Sequence, residues 1–173
     1  MRTVCYGGAM SLDGYIAGPH GEHDWIPMDP DMDFAAMTAR YDTFLVGRRT
    51  LESMRAMGSD AVDQPGLRHI VCSRTMRAAD HPQLTITADA VQTLSALRAA
   101  PGRDIAVFGG GDLFRSLLGA GLVDEIGVSV VPVLLGGGTP FLPAPAATAT
   151  LRLRTHRLYD RTGIVALTYD IAR

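Results

Sequence analysis

Residues Phe44 to Met54 read Phe-Leu-Val-Gly-Arg-Arg-Thr-Leu-Glu-Ser-Met, an apolar run that meets a glycine and turns at once into a helical pattern. Gly47, Arg48, Arg49 and Thr50 therefore fall at the first turn of a helix. Free backbone N–H groups and the positive end of the helix dipole favour an anion there. Two guanidinium groups add charge-assisted, bidentate hydrogen bonds suited to phosphate oxygens. The plain alternative is a helix start with solvated arginines, and a second junction of the same kind weighs against it. Ile105-Ala106-Val107-Phe108 runs into Gly109-Gly110-Gly111, followed by the helical pattern Asp112-Leu113-Phe114-Arg115-Ser116-Leu117-Leu118. One junction is basic and the other is stripped of side chains. Together they suit a dinucleotide with phosphates at more than one place.

The glycine run is not a Rossmann fingerprint. Phe114 stands where the third glycine would fall, the run comes late in the chain, and no clear acid follows to grip a ribose. Backbone without Cβ atoms can still approach a pyrophosphate or a flat ring closely. The other reactive residue types say less. His20, His23 and Asp24 lie in one loop with no further ligand nearby, whereas a zinc site wants four ligands or three plus water, so no metal is expected. Asp13, in an Asp-Gly pair, reads as a turn former before it reads as a catalyst. Asp29, Asp31 and Asp33 cluster around Pro30, either as a capped helix start or as acids facing a ligand.

Composition sets the frame. At 173 residues the chain reads as one domain, 1–173, with enough length for a full core. Its 47% apolar and 20% charged residues are those of an ordinary globular protein, and a net charge of −2 gives no support to a nucleic-acid or polybasic membrane partner. No apolar run is long enough to span a bilayer, and the N-terminus is strand-like and unlike a signal peptide. Cys5 and Cys72 have no metal spacing and read as buried thiols in strands of a cytoplasmic protein. All 16 basic residues are arginine, a bias that makes arginine at any one site weak evidence for a need for arginine.

The elements that must position these residues alternate along the chain. Thr3 to Met10 reads as a strand, with Gly7-Gly8 allowing close approach of a backbone or a ligand. A long loop follows from Ser11 to about Met28, carrying the sole tryptophan, Trp25. Asp29 or Asp31 is placed to cap a helix through Arg40. Strand 43–46, helix 48–57 and a polar loop ending in Pro65-Gly66 come next, then strands Arg68 to Ser73 and Leu84 to Thr87. Asp89 to Ala100 is helical with Val91, Leu94 and Leu97 inward; strand 104–108 and helix 112–119 follow. Asp124 to Leu135 reads as one long valine-rich strand. Leu151 to Tyr159 and Ile164 to Ile171 form an antiparallel hairpin about Asp160-Arg161-Thr162-Gly163. The pattern describes a mostly parallel sheet flanked by helices, with antiparallel strands at its C-terminal end.

Order and spacing together resemble the dihydrofolate reductase superfamily, and within it the C-terminal reductase domain of the bifunctional riboflavin-biosynthesis deaminase/reductase and its stand-alone relatives. The resemblance covers nearly the whole chain. It rests on Ser11-Leu12-Asp13-Gly14-Tyr15-Ile16-Ala17, Gly47-Arg48-Arg49-Thr50 with Glu52-Ser53, Ile70-Val71-Cys72-Ser73 and Val107 to Gly111. Leu122 to Ile126 and Pro132 to Phe141 complete it, and these last two are typical of the riboflavin branch. The resemblance implies a dihydrofolate-reductase-like three-layer α/β/α fold and NADPH bound across the C-terminal edge of the sheet. Ala9, Ile16 and Ala17 then match apolar walls near the nicotinamide. Gly47, Arg48, Arg49 and Thr50 match the cradle for pyrophosphate and adenosine 2′-phosphate, which Ser73 and Arg74 would complete. Gly109, Gly110, Gly111, Asp112 and Leu113 match the glycine turn under the nicotinamide ribose and pyrophosphate.

On the substrate side the resemblance implies a carboxylate near the first helix. A gapless count gives Asp31 the catalytic position, with Asp29 and Asp33 beside it, and Trp25 and Arg68 as further substrate contacts. Arg68 also reads as a surface arginine flanking a strand. The expected function is NADPH-dependent hydride transfer to a small heterocyclic or sugar-imine substrate, as in 5-amino-6-(5-phosphoribosylamino)uracil reductase. Dihydrofolate reduction and a non-catalytic NADP-binding module are the alternatives. Relatives in the riboflavin branch pair through the C-terminal part of the sheet, so a homodimer is expected. The run Val128 to Leu135 is either its apolar surface or a central strand.

Overall fold

The computed structural model describes residues 1–56 and 66–172. Among these residues ten strands and four α-helices follow in the order β1 (Val4–Ser11), β2 (Tyr15–Ala17), α1 (Phe34–Thr38), β3 (Tyr41–Gly47), α2 (Arg48–Ala56), β4 (Arg68–Cys72), β5 (Thr85–Thr87), α3 (Ala90–Ala99), β6 (Asp104–Phe108), α4 (Gly111–Gly119), β7 (Glu125–Val131), β8 (Thr139–Pro140), β9 (Leu151–Tyr159) and β10 (Ile164–Ile171). An eight-stranded sheet runs in the order β5-β4-β3-β6-β1-β7-β10-β9, and β2 pairs with β8 in a separate two-stranded sheet. The six strands from β5 to β7 are mutually parallel; β10 and β9 close the sheet antiparallel. This is the mixed α/β, dihydrofolate-reductase-like architecture read from the sequence.

Alternation along the strands sends successive side chains to opposite faces. Val4, Tyr6, Leu45, Ile70, Ile105 and Val107 pack with Leu94 and Leu97 of α3 and Phe114 and Leu117 of α4 in one core. Tyr6 and Phe114 stack with ring centroids 3.8 Å apart, and Phe141 meets both rings edge-on. Val46 and Val71, one residue out of step, pack instead with Leu51 of α2. α2 therefore covers the other face. A third cluster of Val131, Tyr159 and Ile164, with Ala9, Trp25 and Met32 against it, fills the end of the sheet where the parallel strands finish.

Four sequence expectations change. The loop from Ser11 to Met28 contains β2, a strand too short to show alternation, whose partner β8 lies far along the chain. The first helix is five residues long and capped by Asp33, whose side chain accepts the Ala36 N–H; neither Asp29 nor Asp31 caps it. The valine-rich strand ends at Val131, because Pro132 has no N–H to give the ladder, and Val133 N–H turns back onto Val131 O. That strand is β7, paired on both sides by β1 and β10 with Val128 and Val131 buried, so the first half of Val128 to Leu135 is a central strand, while Leu134 beyond it is 70% exposed. The expected polar loop ending in Pro65-Gly66, and the last residue of helix 48–57, lie outside the described residues, Gly66 excepted.

Candidate active site

The sheet splits where its parallel strands end. β1 pairs with β6 only as far as Tyr6↔Val107. Beyond that point β1 follows β7 to Ser11↔Val131, while β6 stays with β3 to Val46↔Phe108. A gap so formed at the carboxyl ends of parallel strands, where the connections diverge to the two sides, is where open α/β sheets take ligands.

One bank of the gap is built from the two glycine junctions. β3 ends at Gly47 and α2 begins at the next residue; β6 ends at Phe108 and α4 begins at Gly111. The two turns touch. Gly47 N–H donates to Gly109 O at 3.1 Å, and a Cβ on Gly47 would lie 3.4 Å from Gly110 N. Gly109 has φ +66°, and a Cβ there would fall 2.7 Å from Thr50 Oγ1. Both helix starts therefore present unpaired first-turn N–H groups to the same region. Arg48 is half-exposed and paired with Glu52 at 2.8 Å, one turn along α2. Arg49 is exposed and makes no ion pair among the described residues. At the end of β4, Ser73 Oγ accepts the Thr75 and Met76 N–H groups and so shapes the turn that carries the exposed Arg74.

The opposite bank is apolar. Ala9 of β1 is half-buried, Ile16 of β2 half-buried and Ala17 buried. The β2–β8 pair lies over it, and it is tightly fitted. A Cβ on Gly138 would stand 2.1 Å from Ala17 O, and one on Gly111 would stand 2.7 Å from Pro140 O. Asp13 accepts hydrogen bonds from the Ser11 hydroxyl and from the Leu135 and Gly136 N–H groups. Trp25, like Ala9 and Met32, packs against the cluster of Val131, Tyr159 and Ile164, while its Nε1 donates to Glu22 O at 3.0 Å.

The sequence-derived residues divide accordingly. Gly47, Thr50, Gly109 and Gly110 meet directly, with Arg48 and Arg49 at the same helix start and Gly111 opening the facing one. Leu113 packs toward the core, and Asp112 is exposed and paired with Arg115 at 3.0 Å. Asp31 is exposed, 3.8 Å from Arg161 Nε. The buried acid of the three is Asp29, 3% exposed, whose Oδ1 accepts the Asp31 N–H and whose Oδ2 accepts the Thr162 hydroxyl. Burial raises its pKa, but those hydrogen bonds and the nearby Arg161 charge outweigh that and hold the carboxyl below its ordinary range. Arg68 begins β4, at the other end of that strand from Ser73, in register with Thr43, and stands apart from the rest.

One feature escaped the sequence reading. Phe108, 42% exposed, closes β6 at the lip of the gap; an apolar residue directly before three glycines was its signal. A Cβ added to Gly8 would meet no atom within 4 Å, so that stretch of β1 lies open, whereas one on its neighbour Gly7 would stand 3.0 Å from Gly127 O. Burial pushes the thiols of Cys5 and Cys72 up to about 11 and about 12, which leaves both protonated at neutral pH.

Comparison with known proteins bears on what this gap holds. The chain is 32% identical to the uncharacterized protein YyaP of Bacillus subtilis (strain 168), over 97% of this chain and 94% of that one. A crystal structure of a putative riboflavin biosynthesis protein from Shewanella sp. PV-4 superposes with a TM-score of 0.82 at 26% identity, covering 99% of this chain and all of that one. Dihydrofolate reductase from Enterococcus faecalis, complexed with NADP(H), shares the fold alone: TM-score 0.71 at 17% identity, over 99% and 97% of the two chains. A profile described as the RibD C-terminal domain matches residues 2–165, and the chain belongs to that family.

Proposed function

We propose that the chain is an NADPH-dependent reductase of the riboflavin-pathway type, acting on a small heterocyclic or sugar-imine substrate. The observation that supports it most is the contact between the two glycine turns, which brings two helix N-termini and two arginines to one bank of the gap beside β1. Bound NADPH would supply the hydride from its nicotinamide ring. The chain's own residues bind, orient and exclude water. Gly47, Gly109, Gly110 and Gly111 let backbone N–H groups reach the pyrophosphate, with Thr50 between them. Arg48 and Arg49, assisted by Ser73 and Arg74, take the adenosine 2′-phosphate. The charge-assisted bonds to that phosphate offset the cost of desolvating the guanidinium groups, which favours NADPH over NADH. Ala9, Ile16 and Ala17 form the dry wall for the nicotinamide.

On the substrate side this reading assigns Trp25 as an apolar wall and Asp31 as the acid nearest the ligand, released from Arg161 when substrate enters. Arg68 stands roughly 13 Å along β4 from Cys72, within reach only of the far end of an extended substrate. The reading extends to a cytoplasmic homodimer.

Replacing Arg48 and Arg49 together with alanine tests the cofactor assignment. Affinity for NADPH is expected to fall at least about tenfold while that for NADH changes little, since charge-assisted hydrogen bonds contribute roughly 1.5–3 kcal/mol each. The discrimination shrinks with rising salt. A double variant with the wild-type NADPH/NADH ratio would show both arginines to be surface charge. NADPH bound tightly by the wild type, with no oxidation in the presence of dihydrofolate, the phosphoribosylaminouracil or simple carbonyls, would favour the non-catalytic module.

A further inference from the structure

The segment from Ser11 to Ala17 and the segment from Val133 to Phe141 are joined along their length. Leu12 N–H donates to Val133 O and Phe141 N–H to Gly14 O, each at 2.9 Å. Tyr15 and Ala17 pair with Pro140 and Thr139, and Gly138 lies so close to Ala17 O that no side chain fits between them. All of these ties are made by backbone. The one side chain that hydrogen-bonds across the two segments among the described residues is Asp13. Its Oδ2 accepts the Gly136 N–H at 2.7 Å, both its oxygens lie 3.1 Å from the Leu135 N, and its Oδ1 accepts the Ser11 hydroxyl at 2.6 Å. Ser11 Oγ in turn accepts the Tyr15 N–H at 2.9 Å, so the chain of bonds runs from Gly136 through Asp13 and Ser11 into the first residue of β2. The Ser11 hydroxyl above all, joined by the Gly136 and Leu135 amides, holds the Asp13 carboxyl below the usual carboxylate range against the opposing effect of desolvation.

We infer that Asp13 is a positioning residue. Through Ser11 and the 135–136 amides it fixes where Ile16 and Ala17 stand, and so fixes the wall against which a nicotinamide ring lies. The inference rests on the cofactor reading above. A turn former needs only its own local backbone; a carboxylate that binds two amides more than a hundred residues away does something further. Three acceptor contacts on a rigid two-carbon stem also leave β2 little freedom to slide along β8. Asp13 itself is exposed and its side-chain hydrogen bonds go to Ser11, Leu135 and Gly136, so its effect is expected to pass through β2 and to leave the phosphate cradle unchanged.

The test compares NADPH with 2′-phospho-ADP-ribose, the same molecule without nicotinamide, on wild type, Asp13→Ala and Asp13→Asn. Asp13→Ala is expected to bind 2′-phospho-ADP-ribose within about twofold of wild type. It should bind NADPH about tenfold more weakly, with nicotinamide fluorescence close to that of the free cofactor. Asp13→Asn, whose amide oxygen still accepts one N–H, is expected to lie between. A purely structural role would lower the melting temperature and weaken both nucleotides equally, and that result overturns the inference. So does an unchanged NADPH to 2′-phospho-ADP-ribose ratio with wild-type fluorescence. If Asp13→Ala does not fold, the asparagine variant is read by the same criteria. Wild-type protein that binds neither nucleotide would overturn the cofactor reading and this inference together, whereas wild-type binding with unaltered variants overturns this inference alone.

Discussion

Asp29 has both carboxylate oxygens committed, one to an amide two residues on and the other to a hydroxyl in the turn between β9 and β10. With Arg157 of β9 donating to Asp31 O at 3.1 Å, the β9–β10 hairpin holds the segment before α1 against the end of the sheet. Removing the donor while leaving the buried acceptor is the costly direction. Thr162→Ala is therefore expected to lower stability by about 1–3 kcal/mol, read as a shift in denaturant midpoint, and Thr162→Ser to restore most of it. The pH dependence follows from the lowered folded pKa of Asp29. Its contribution is present above the ordinary aspartate value of 3.8 and is lost as pH falls through the depressed folded value. Thr162→Ala, by weakening that depression, should move the start of acid unfolding to higher pH; an unmoved acid limb would show that the hydroxyl contributes nothing. A gapless count settled on Asp31 because the three acids are alike in sequence. What separates them is a partner 133 residues away. Gly47 to Thr50 and the glycine run were legible as strand-to-helix turns because that geometry is local.

At the far end of the parallel strands, Glu125 of β7 is 2% exposed and lies between Arg40 and Arg154. Arg40 also pairs with Asp104 of β6 at 2.7 Å, and Arg154 with Asp170 of β10. The network ties the first residue of β7 to β6, β9, β10 and the approach to β3. Its members are not equivalent. Without Glu125 both arginines, about two-fifths exposed, keep water and a second carboxylate. Without the arginines a buried carboxylate loses its cations. Arg40→Met with Arg154→Met is thus expected to cost about 3–5 kcal/mol, and Glu125→Gln less than half of that; equal losses in thermal unfolding would contradict this ordering. The elements joined here were read unevenly. β9 and β10 have the bounds the alternation gave, because the two strands are joined by a tight turn over 160–163 whose Gly163 marks where the period-two pattern stops. β2 and the true start of α1 were not legible, since both depend on residues distant in sequence.

Taken as a whole molecule, the sheet has two unequal edges. β5 is three residues long, whereas β9 offers nine, with Leu151, Leu153 and Leu158 between 40% and 57% exposed among its arginines. A long edge strand of this kind is a template for pairing unless something covers it. The proposed homodimer is expected to form through β9. Light scattering should report a dimer, and Leu153→Glu with Leu158→Glu should give a monomer that still binds NADPH; a monomeric wild type removes the idea. The order of the strands has one more effect. β1 lies between β6 and β7, and its first partner, Ile105, is 101 residues beyond Val4. During synthesis at about 5–20 residues per second, β1 therefore waits roughly 5–20 s for either neighbour. Its apolar half, Val4 to Tyr6, is meanwhile an uncovered edge, while β3 and β4 pair with each other early. The strand that carries one bank of the gap therefore stays unpaired far longer after its synthesis than β3 or β4, whose partners follow within about thirty residues.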